Sequence, residues 1–275
     1  MPRSPRLGVL GWPVAHSLSP ALHNAALQAV GLSAWRYQLL PVPPELFAET
    51  VKALPVAGFR GANVTIPHKR AALELASGAS ARASEIGAAN TLLFAQDGQI
   101  QADNTDAPAL IDALPLAPDR KTALVLGAGG SARAAVWALT DAGAAEVRVW
   151  NRTAERAREL SRELGATTVA AAAPADILIN CTSVGLDGSD RGFEQLPLGP
   201  EQVSDYGCVV DFVYAPGDTG LARAARGRAL PVVDGLDLLV RQGALSFEQF
   251  TSRPAPLEVM REAVRAERAA IVPTR

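Results

Sequence analysis

Short apolar runs alternate with longer stretches of helical period along nearly the whole chain. Leu7-Gly8-Val9-Leu10-Gly11 reads as a first buried strand, and residues 35–40 and 59–64 as two more. Between the first two, Leu22, Ala25, Ala26, Ala29 and Val30 share one face of a helix that runs to about Gly31. Ser19 before Pro20 reads as that helix's N-cap followed by proline at the first helical position. Proline-started helices are expected over 44–54 and from Pro67, and short helices lead to a strand at Asn90-Thr91-Leu92-Leu93-Phe94. Asp97-Gly98 marks a hairpin turn with a return strand over 99–102, so this part ends in a hairpin edge. Asp103-Asn104-Thr105-Asp106 then opens a helix through Leu114, and Pro115-Leu116-Ala117-Pro118 is a short rigid linker.

From Lys121 the same alternation resumes. Strands are expected over 123–126, 146–150, 167–170, 176–180, 208–212 and 229–233, with helices over 131–141 and 154–164. Two last helices, 236–250 and 257–269, follow the final strand and are expected to pack back on the N-terminal part. Strands alternating with helices imply parallel sheets covered on both faces. The expected fold is therefore α/β with two domains. One comprises residues 1–105 plus 236–275 and carries a mostly parallel sheet; the other, 106–235, is a Rossmann-type unit.

Composition narrows the function classes. Hydrophobic residues at 48% and charged residues at 20% fit a soluble globular protein. A net charge of −2 implies no nucleic-acid or anionic-membrane surface. No apolar run is long enough to cross a membrane, and Met1-Pro2-Arg3-Ser4-Pro5-Arg6 lacks a signal-peptide core. Cys181 and Cys208 have no CxxC spacing and read as small buried hydrophobes; His16, His23 and His68 lack metal-ligand spacing. A cytoplasmic protein without a metal is expected.

The chemistry centres on Gly127-Ala128-Gly129-Gly130-Ser131-Ala132, between a strand and a helix. Gly127 permits the turn, Gly129 lets a pyrophosphate approach the backbone, and Ala132 is the small residue of helix–strand packing. An ordinary βα turn uses glycine in the same way, so the next strand decides. NAD sites usually place an acid about 20 residues past the glycines, on the ribose hydroxyls. Here that place holds Asn151 and Arg152, with Arg156 one turn on. Two guanidiniums would hold a 2′-phosphate, so the cofactor reading is NADP. The other reading is two solvated arginines at a helix start, an unfavourable end for cations.

Lysine occurs only at Lys52, Lys69 and Lys121; every other basic side chain apart from histidine is Arg. A retained Lys marks a place where an amine is needed, since a guanidinium does not give up its proton. Ser17, Ser19, Asn90 and Asp106 join Lys69 at strand ends and helix starts, where open α/β sheets bind ligands. Each could instead shape a turn or cap a helix.

The motifs His16-Ser17-Leu18-Ser19-Pro20, Gly61-Ala62-Asn63-Val64-Thr65-Ile66-Pro67-His68-Lys69, Gly87-Ala88-Ala89-Asn90-Thr91, Asp103-Asn104-Thr105-Asp106, Gly127-Ala128-Gly129-Gly130, Asn151-Arg152-Thr153, Asn180-Cys181-Thr182-Ser183 and Asp234-Gly235 stand in one order along nearly the whole chain. In this the chain resembles the shikimate/quinate dehydrogenase family. The resemblance implies reversible NADPH-dependent reduction of 3-dehydroshikimate to shikimate, in aromatic amino-acid biosynthesis. Ser17 and Ser19 would hold the substrate carboxylate, and Thr65, Asn90, Asp106 and Gln242 its hydroxyls, with Tyr214 nearby. Lys69 and Asp106 would be the catalytic pair. Gly127, Ala128, Gly129, Gly130 and Ser131 would hold the pyrophosphate, with Asn151, Arg152, Thr153 and Arg156 at the 2′-phosphate. Thr182 completes the implied cofactor contacts, with Phe212 and Gly235 near the nicotinamide. Ala107, where the family commonly has Gly, and Ala81, where some members carry an acid, depart from the pattern. An NAD-dependent quinate/shikimate dehydrogenase and a non-catalytic ligand sensor of the same fold stay open as alternatives. The two arginines oppose the first, and the presence of both Lys69 and Asp106 opposes the second. A homodimer is among the allowed assemblies.

Overall fold

A computed structural model describes residues 4–186, 190–215 and 217–271. Residues 1–3 and 272–275, the outer ends of the first expected domain, lie outside the described residues. The chain forms two compact units: Met1–Thr105 with Leu239–Ile271, and Asp106–Leu238.

The first unit carries six strands: β1 (Arg6–Gly11), β2 (Arg36–Pro41), β3 (Phe59–Val64), β4 (Gly78–Ala79), β5 (Thr91–Phe94) and β6 (Ile100–Asp103). Their order is β2-β1-β3-β5-β6-β4. β1 runs parallel to β2 and β3, while β5 is antiparallel to β3 and β6. The hairpin is therefore not the edge. The two-residue β4, which the sequence pattern does not predict, pairs parallel with β6 and caps it. Four helices follow the strands: α1 (Ser19–Ala29), α2 (Phe47–Ala53), α3 (Lys69–Leu75) and α4 (Ala81–Ile86). Phe47, Val51, Phe59, Ala62 and Leu92 form one core cluster on this sheet.

Two helix starts differ from expectation. Leu18, already in helical conformation, is the N-cap of α1; Ser19 lies inside the helix and makes no capping bond. Pro67 sits in a turn closed by the His68 N–H on the Thr65 carbonyl, so α3 opens two residues later, at Lys69.

His23 of α1 is buried and stacks on Tyr37 of β2 with ring centroids 4.1 Å apart. Burial pushes its pKa down to about 3, against the opposing effect of a hydrogen bond with Asn63. The folded protein thus holds His23 neutral where the unfolded chain protonates it, from the ordinary value near 6.5 down to about 3. Its stabilising contribution is complete above that window and is lost as pH falls through it, at about 1.4 kcal/mol per pH unit. Urea titrations of the parent and of His23→Gln at several pH values check this. The variant is expected to show the shallower slope between pH 6.5 and 4.5; equal slopes would contradict the assignment.

The second unit has six parallel strands: β7 (Thr122–Leu126), β8 (Glu146–Trp150), β9 (Thr167–Thr168), β10 (Ala175–Asn180), β11 (Tyr206–Asp211) and β12 (Val232–Val233). Their order, β12-β11-β10-β7-β8-β9, is the doubly wound order of dinucleotide-binding sheets, with its reversal between β7 and β10. Helices α5 (Asp106–Ala113), α6 (Gly130–Asp141), α7 (Ala154–Leu164) and α8 (Gly220–Arg226) belong to it. Neither α8 nor the 3-10 turns Asp190–Gln195 and Pro200–Asp205 are among the elements expected from the sequence. The last strand does not reach back to Ala229, which lies instead in a turn at φ 57°. α9 (Gly235–Thr251) begins in this unit and continues in the first, where α10 (Leu257–Ile271) packs on α1. Among the described residues, no helix is long and apolar enough to cross a membrane.

Candidate active site

In the first unit, one end of the sheet gathers most of the polar candidates. β1 and β3 are parallel neighbours, so the loops leaving them lie side by side. The Thr65 N–H donates to the Leu10 carbonyl at 2.8 Å, and the Trp12 N–H to the Ile66 carbonyl at 3.0 Å. Because β5 runs antiparallel to β3, its start reaches the same end: Val64 N–H donates to the Asn90 carbonyl at 2.8 Å. Ala89 N–H donates to the Lys69 carbonyl at 2.8 Å, tying the start of α3 to this strand. The topology thus brings the segments bearing Ser17, Thr65, Lys69 and Asn90 to one place.

Lys69 is buried, whereas Lys52 is exposed and Lys121 makes a partly exposed ion pair with Asp176. The one buried lysine stands at the first residue of a helix, a position that opposes a positive charge. His68 beside it has a structural task. Its ring stacks on Phe47 at 4.3 Å, and Nε2–H donates to the Val42 carbonyl at 2.7 Å. Burial lowers its pKa, with the Val42 bond acting in the opposite direction.

Asn90 is held by its own network. Its Oδ1 accepts from Thr105 N–H at 2.8 Å and from the Thr91 hydroxyl at 3.0 Å. Its Nδ2 donates to Thr105 Oγ1 at 3.0 Å and to Gln242 Oε1 at 3.4 Å. α9 supplies polar groups at helical spacing. Gln242 meets Asn90, the Ser246 hydroxyl donates to Asn63 Oδ1 at 3.4 Å, and Gln249 Nε2 donates to Asp103 Oδ2 at 2.6 Å. Asn63, which also accepts from the Tyr37 hydroxyl at 2.8 Å, and Asp103 have no role that the sequence pattern predicts. Their one signal is a polar residue within or closing an otherwise buried strand. Burial works against the Asp103 charge, yet hydrogen bonds from Arg82, Ser80 and Asn104 N–H hold its pKa below the usual carboxylate range.

The Ser17 hydroxyl donates to Ser19 Oγ at 3.2 Å, and Ser19 N–H to Ser17 Oγ at 3.3 Å. The pair is local: Ser17 Oγ takes the first N–H of α1, and the Ser19 hydroxyl makes no capping bond. Asp106 is the first residue of α5 and is buried in the second unit.

The cofactor candidates surround the strand-order reversal. Gly127 has φ 111°, and a Cβ there would lie 3.0 Å from the Cys181 carbonyl oxygen. Only glycine fits this turn. A Cβ on Gly129 would meet open space, and Gly129 caps α6 without a side-chain bond. Gly129 therefore offers the first turn of α6 no capping side chain of its own, which suits a phosphate. Ala132 is fully buried. After β8, Arg152 and Arg156 are exposed at the start of α7 and their guanidiniums have no partner among the described residues. Glu155 is engaged by Arg158 at 2.6 Å, and Asn151 Nδ2 donates to the Thr153 carbonyl at 2.9 Å. Two unpaired cations at a helix N-terminus suit an anion. Thr182 shapes its turn: its hydroxyl donates to Asn180 Oδ1 at 2.7 Å and accepts from Val184 N–H at 3.1 Å. Phe212 and Tyr214 are half-buried just after β11. A Cβ on Gly235 would come within 2.6 Å of the Val213 carbonyl group.

Three family models match the chain: "Shikimate dehydrogenase substrate binding domain" over residues 9–92, "Shikimate / quinate 5-dehydrogenase" over 114–184 and "Shikimate 5'-dehydrogenase C-terminal domain" over 235–265. The shikimate dehydrogenase (NADP(+)) of Paracoccus denitrificans is 43% identical over 277 residues, covering 96% of each chain. Shikimate 5-dehydrogenase of Thermus thermophilus, solved with NADP(H) and shikimate, is 41% identical with a TM-score of 0.83, over 95% of this chain and 98% of that one. The shikimate dehydrogenase of Aquifex aeolicus gives a TM-score of 0.86 at 32% identity, over 95% and 98%. Likeness of this extent in sequence and in fold, together with the glycine turn and the buried lysine, means that the chain belongs to the shikimate dehydrogenase family.

Proposed function

We propose that this protein catalyses the reversible NADPH-dependent reduction of 3-dehydroshikimate to shikimate, with Lys69 and Asp106 as its acid–base pair. The observation that carries the reading is the pair of unpartnered guanidiniums, Arg152 and Arg156, beside a glycine turn that leaves α6 uncapped. These residues fit NADP: Gly127 to Ser131 for the pyrophosphate, Asn151, Arg152, Thr153 and Arg156 for the 2′-phosphate, and Thr182, Phe212 and Gly235 further along. NADPH, when bound, supplies a hydride for the carbonyl carbon. The chain's own task is to orient the substrate and to protonate its oxygen. Lys69 as ammonium donates that proton from Nζ, and its charge stabilises the oxygen as negative charge develops. Asp106 is the second member of the proposed pair. Ser17 and Ser19 hold the carboxylate; Thr65, Asn90, Asp106 and Gln242 hold hydroxyls, and Tyr214 lies beside the substrate.

Reduction of NADP+ with shikimate, then with quinate, then of NAD+ with shikimate tests the reading. Turnover with shikimate and NADP+ is expected to exceed the other two. No turnover of either acid would leave a ligand sensor. Cytoplasmic residence accords with two free thiols, Cys181 and Cys208. The homodimer rests on the family resemblance, and light scattering measures it.

The serines give a sharper outcome. A hydrogen bond to a charged group contributes about 1.5–3 kcal/mol. Ser17→Ala or Ser19→Ala should therefore raise KM for shikimate at least about tenfold. Because the Ser19 hydroxyl makes no capping bond, Ser19→Ala should barely move Tm, whereas Ser17→Ala loses one bond to the first N–H of α1. Steady-state kinetics beside thermal melts decide. A lower Tm with unchanged KM would assign the serines to the fold.

A further inference from the structure

We infer that Asp211 is a positioning residue that fixes two segments proposed above to contact the cofactor beyond its pyrophosphate, Thr182 after β10 and Phe212–Tyr214 after β11, the second of them beside the nicotinamide. The inference rests on the dinucleotide-dependent reading above. Asp211 ends β11, directly beside Asn180 at the end of β10. Asn180 in turn pairs with Leu126, the residue before Gly127. All three stand at the carboxyl ends of parallel strands next to the strand-order reversal.

The Asp211 carboxylate is 1% exposed and accepts three hydrogen bonds. Oδ1 accepts from Asn180 Nδ2 and from Val213 N–H, both at 3.0 Å. Oδ2 accepts from the Thr219 hydroxyl at 2.6 Å, and that hydroxyl also caps α8 by accepting from Ala222 N–H. Asn180 passes the constraint on, since its Oδ1 accepts from Thr182 N–H at 3.1 Å and from the Thr182 hydroxyl at 2.7 Å. The Val213–Tyr214 peptide is held on its other side by Gly235, where a Cβ would lie 2.8 Å from Tyr214 N. One side chain thus sets Thr182 on one strand end and the Phe212–Tyr214 segment on the next.

A carboxylate is a costly way to fill a core. Burial pushes the Asp211 pKa up to about 6 in spite of three donors. A strand end that needed only packing would be served by an apolar residue. What the carboxylate adds is two oxygens that gather donors from three segments.

Asp211→Ala removes every acceptor, whereas Asp211→Asn keeps Oδ1 and its two donors. Asn180→Ala releases Thr182 and removes one donor to Asp211 Oδ1 while leaving the Val213 and Thr219 bonds, and Thr219→Val removes only the bond on Oδ2 and the cap of α8. Single-turnover hydride transfer from NADPH is expected to slow about tenfold or more in Asp211→Ala and in Asn180→Ala. Asp211→Asn and Thr219→Val should stay within about threefold of the parent, although Thr219→Val melts at lower temperature. Affinity for adenosine 2′,5′-bisphosphate, which lacks the nicotinamide half, should be unchanged in all four. Parent-like transfer in a folded Asp211→Ala or Asn180→Ala would overturn the proposal. So would an equal loss of bisphosphate affinity, or failure of both of these variants to fold. Should Asp211→Ala alone fail to fold, the rate in Asn180→Ala decides. Titrations with NADP+ separate this from the substrate reading: a parent inactive on shikimate refutes that reading, and the gap between NADP+ and bisphosphate affinities, narrower in the two variants, then tests Asp211.

Discussion

Lys69→Ala is expected to lower kcat by about 10²–10⁴ while leaving the fold and both ligand affinities nearly intact, the usual range for a positioned acid–base group. Three observations converge on this residue. It is the buried member of three lysines in a chain that otherwise uses Arg. It opens α3, where the helix dipole disfavours its charge, so helix stability does not account for it. Its backbone is fixed by Ala89 N–H and by the turn before it, so the ammonium starts from a defined place. Loss confined to the chemical step, measured by kcat beside the substrate and cofactor Kd, reads as lost transition-state stabilisation. Lys69→Arg is the more discriminating variant, since it keeps the charge and removes the titratable amine. An Arg variant as inactive as Ala fits proton donation from Nζ. Recovery of most of kcat by Arg would make Lys69 an electrostatic anchor, and the proton would then come from Asp106 or water.

Arg152→Ala should raise KM for NADP+ about ten- to a hundredfold and leave any activity with NAD+ unchanged or improved. The magnitude follows from about 1.5–3 kcal/mol for hydrogen bonds to a charged group. In the structure Arg152 is exposed and its guanidinium is unpartnered among the described residues. No internal ion pair is broken by its removal, and the stability of the second unit should not change. Arg156 shares the site, so the single variant retains part of the phosphate affinity and the double variant should lose more. Parallel kinetics with NADP+ and NAD+ decide the matter: an equal loss with both cofactors would show that Arg152 supports the fold of the site and does not read the 2′-phosphate.

Periodicity locates the long elements because one face of each must be apolar whatever packs on it. The glycine turn after β7 is legible for the same local reason. Gly127 needs a positive φ and has the Cys181 carbonyl against it, and no other residue meets both demands. Arg152 and Arg156 are legible because a cation pair where an acid is expected is a chemical contradiction within a few residues.

Other features depend on partners distant in sequence. β4 consists of two residues with no pattern of its own, and pairing with β6 alone makes it a strand. Ser19 resembles a cap in sequence, but Leu18 enters the helical conformation first, so Ser19 lies inside the helix and its hydroxyl caps nothing. Asn63, Asp103, Asn180 and Asp211 look in sequence like isolated polar residues within or at the ends of apolar strands. Their roles come from Gln249, Ser246, Thr219 and one another, up to 183 residues apart in the chain. Local sequence determines where the backbone turns and which face is apolar, because those costs fall on neighbouring residues. Only the assembled tertiary structure decides which buried polar group meets which, because each must find its partner from whatever strand or helix folding brings alongside.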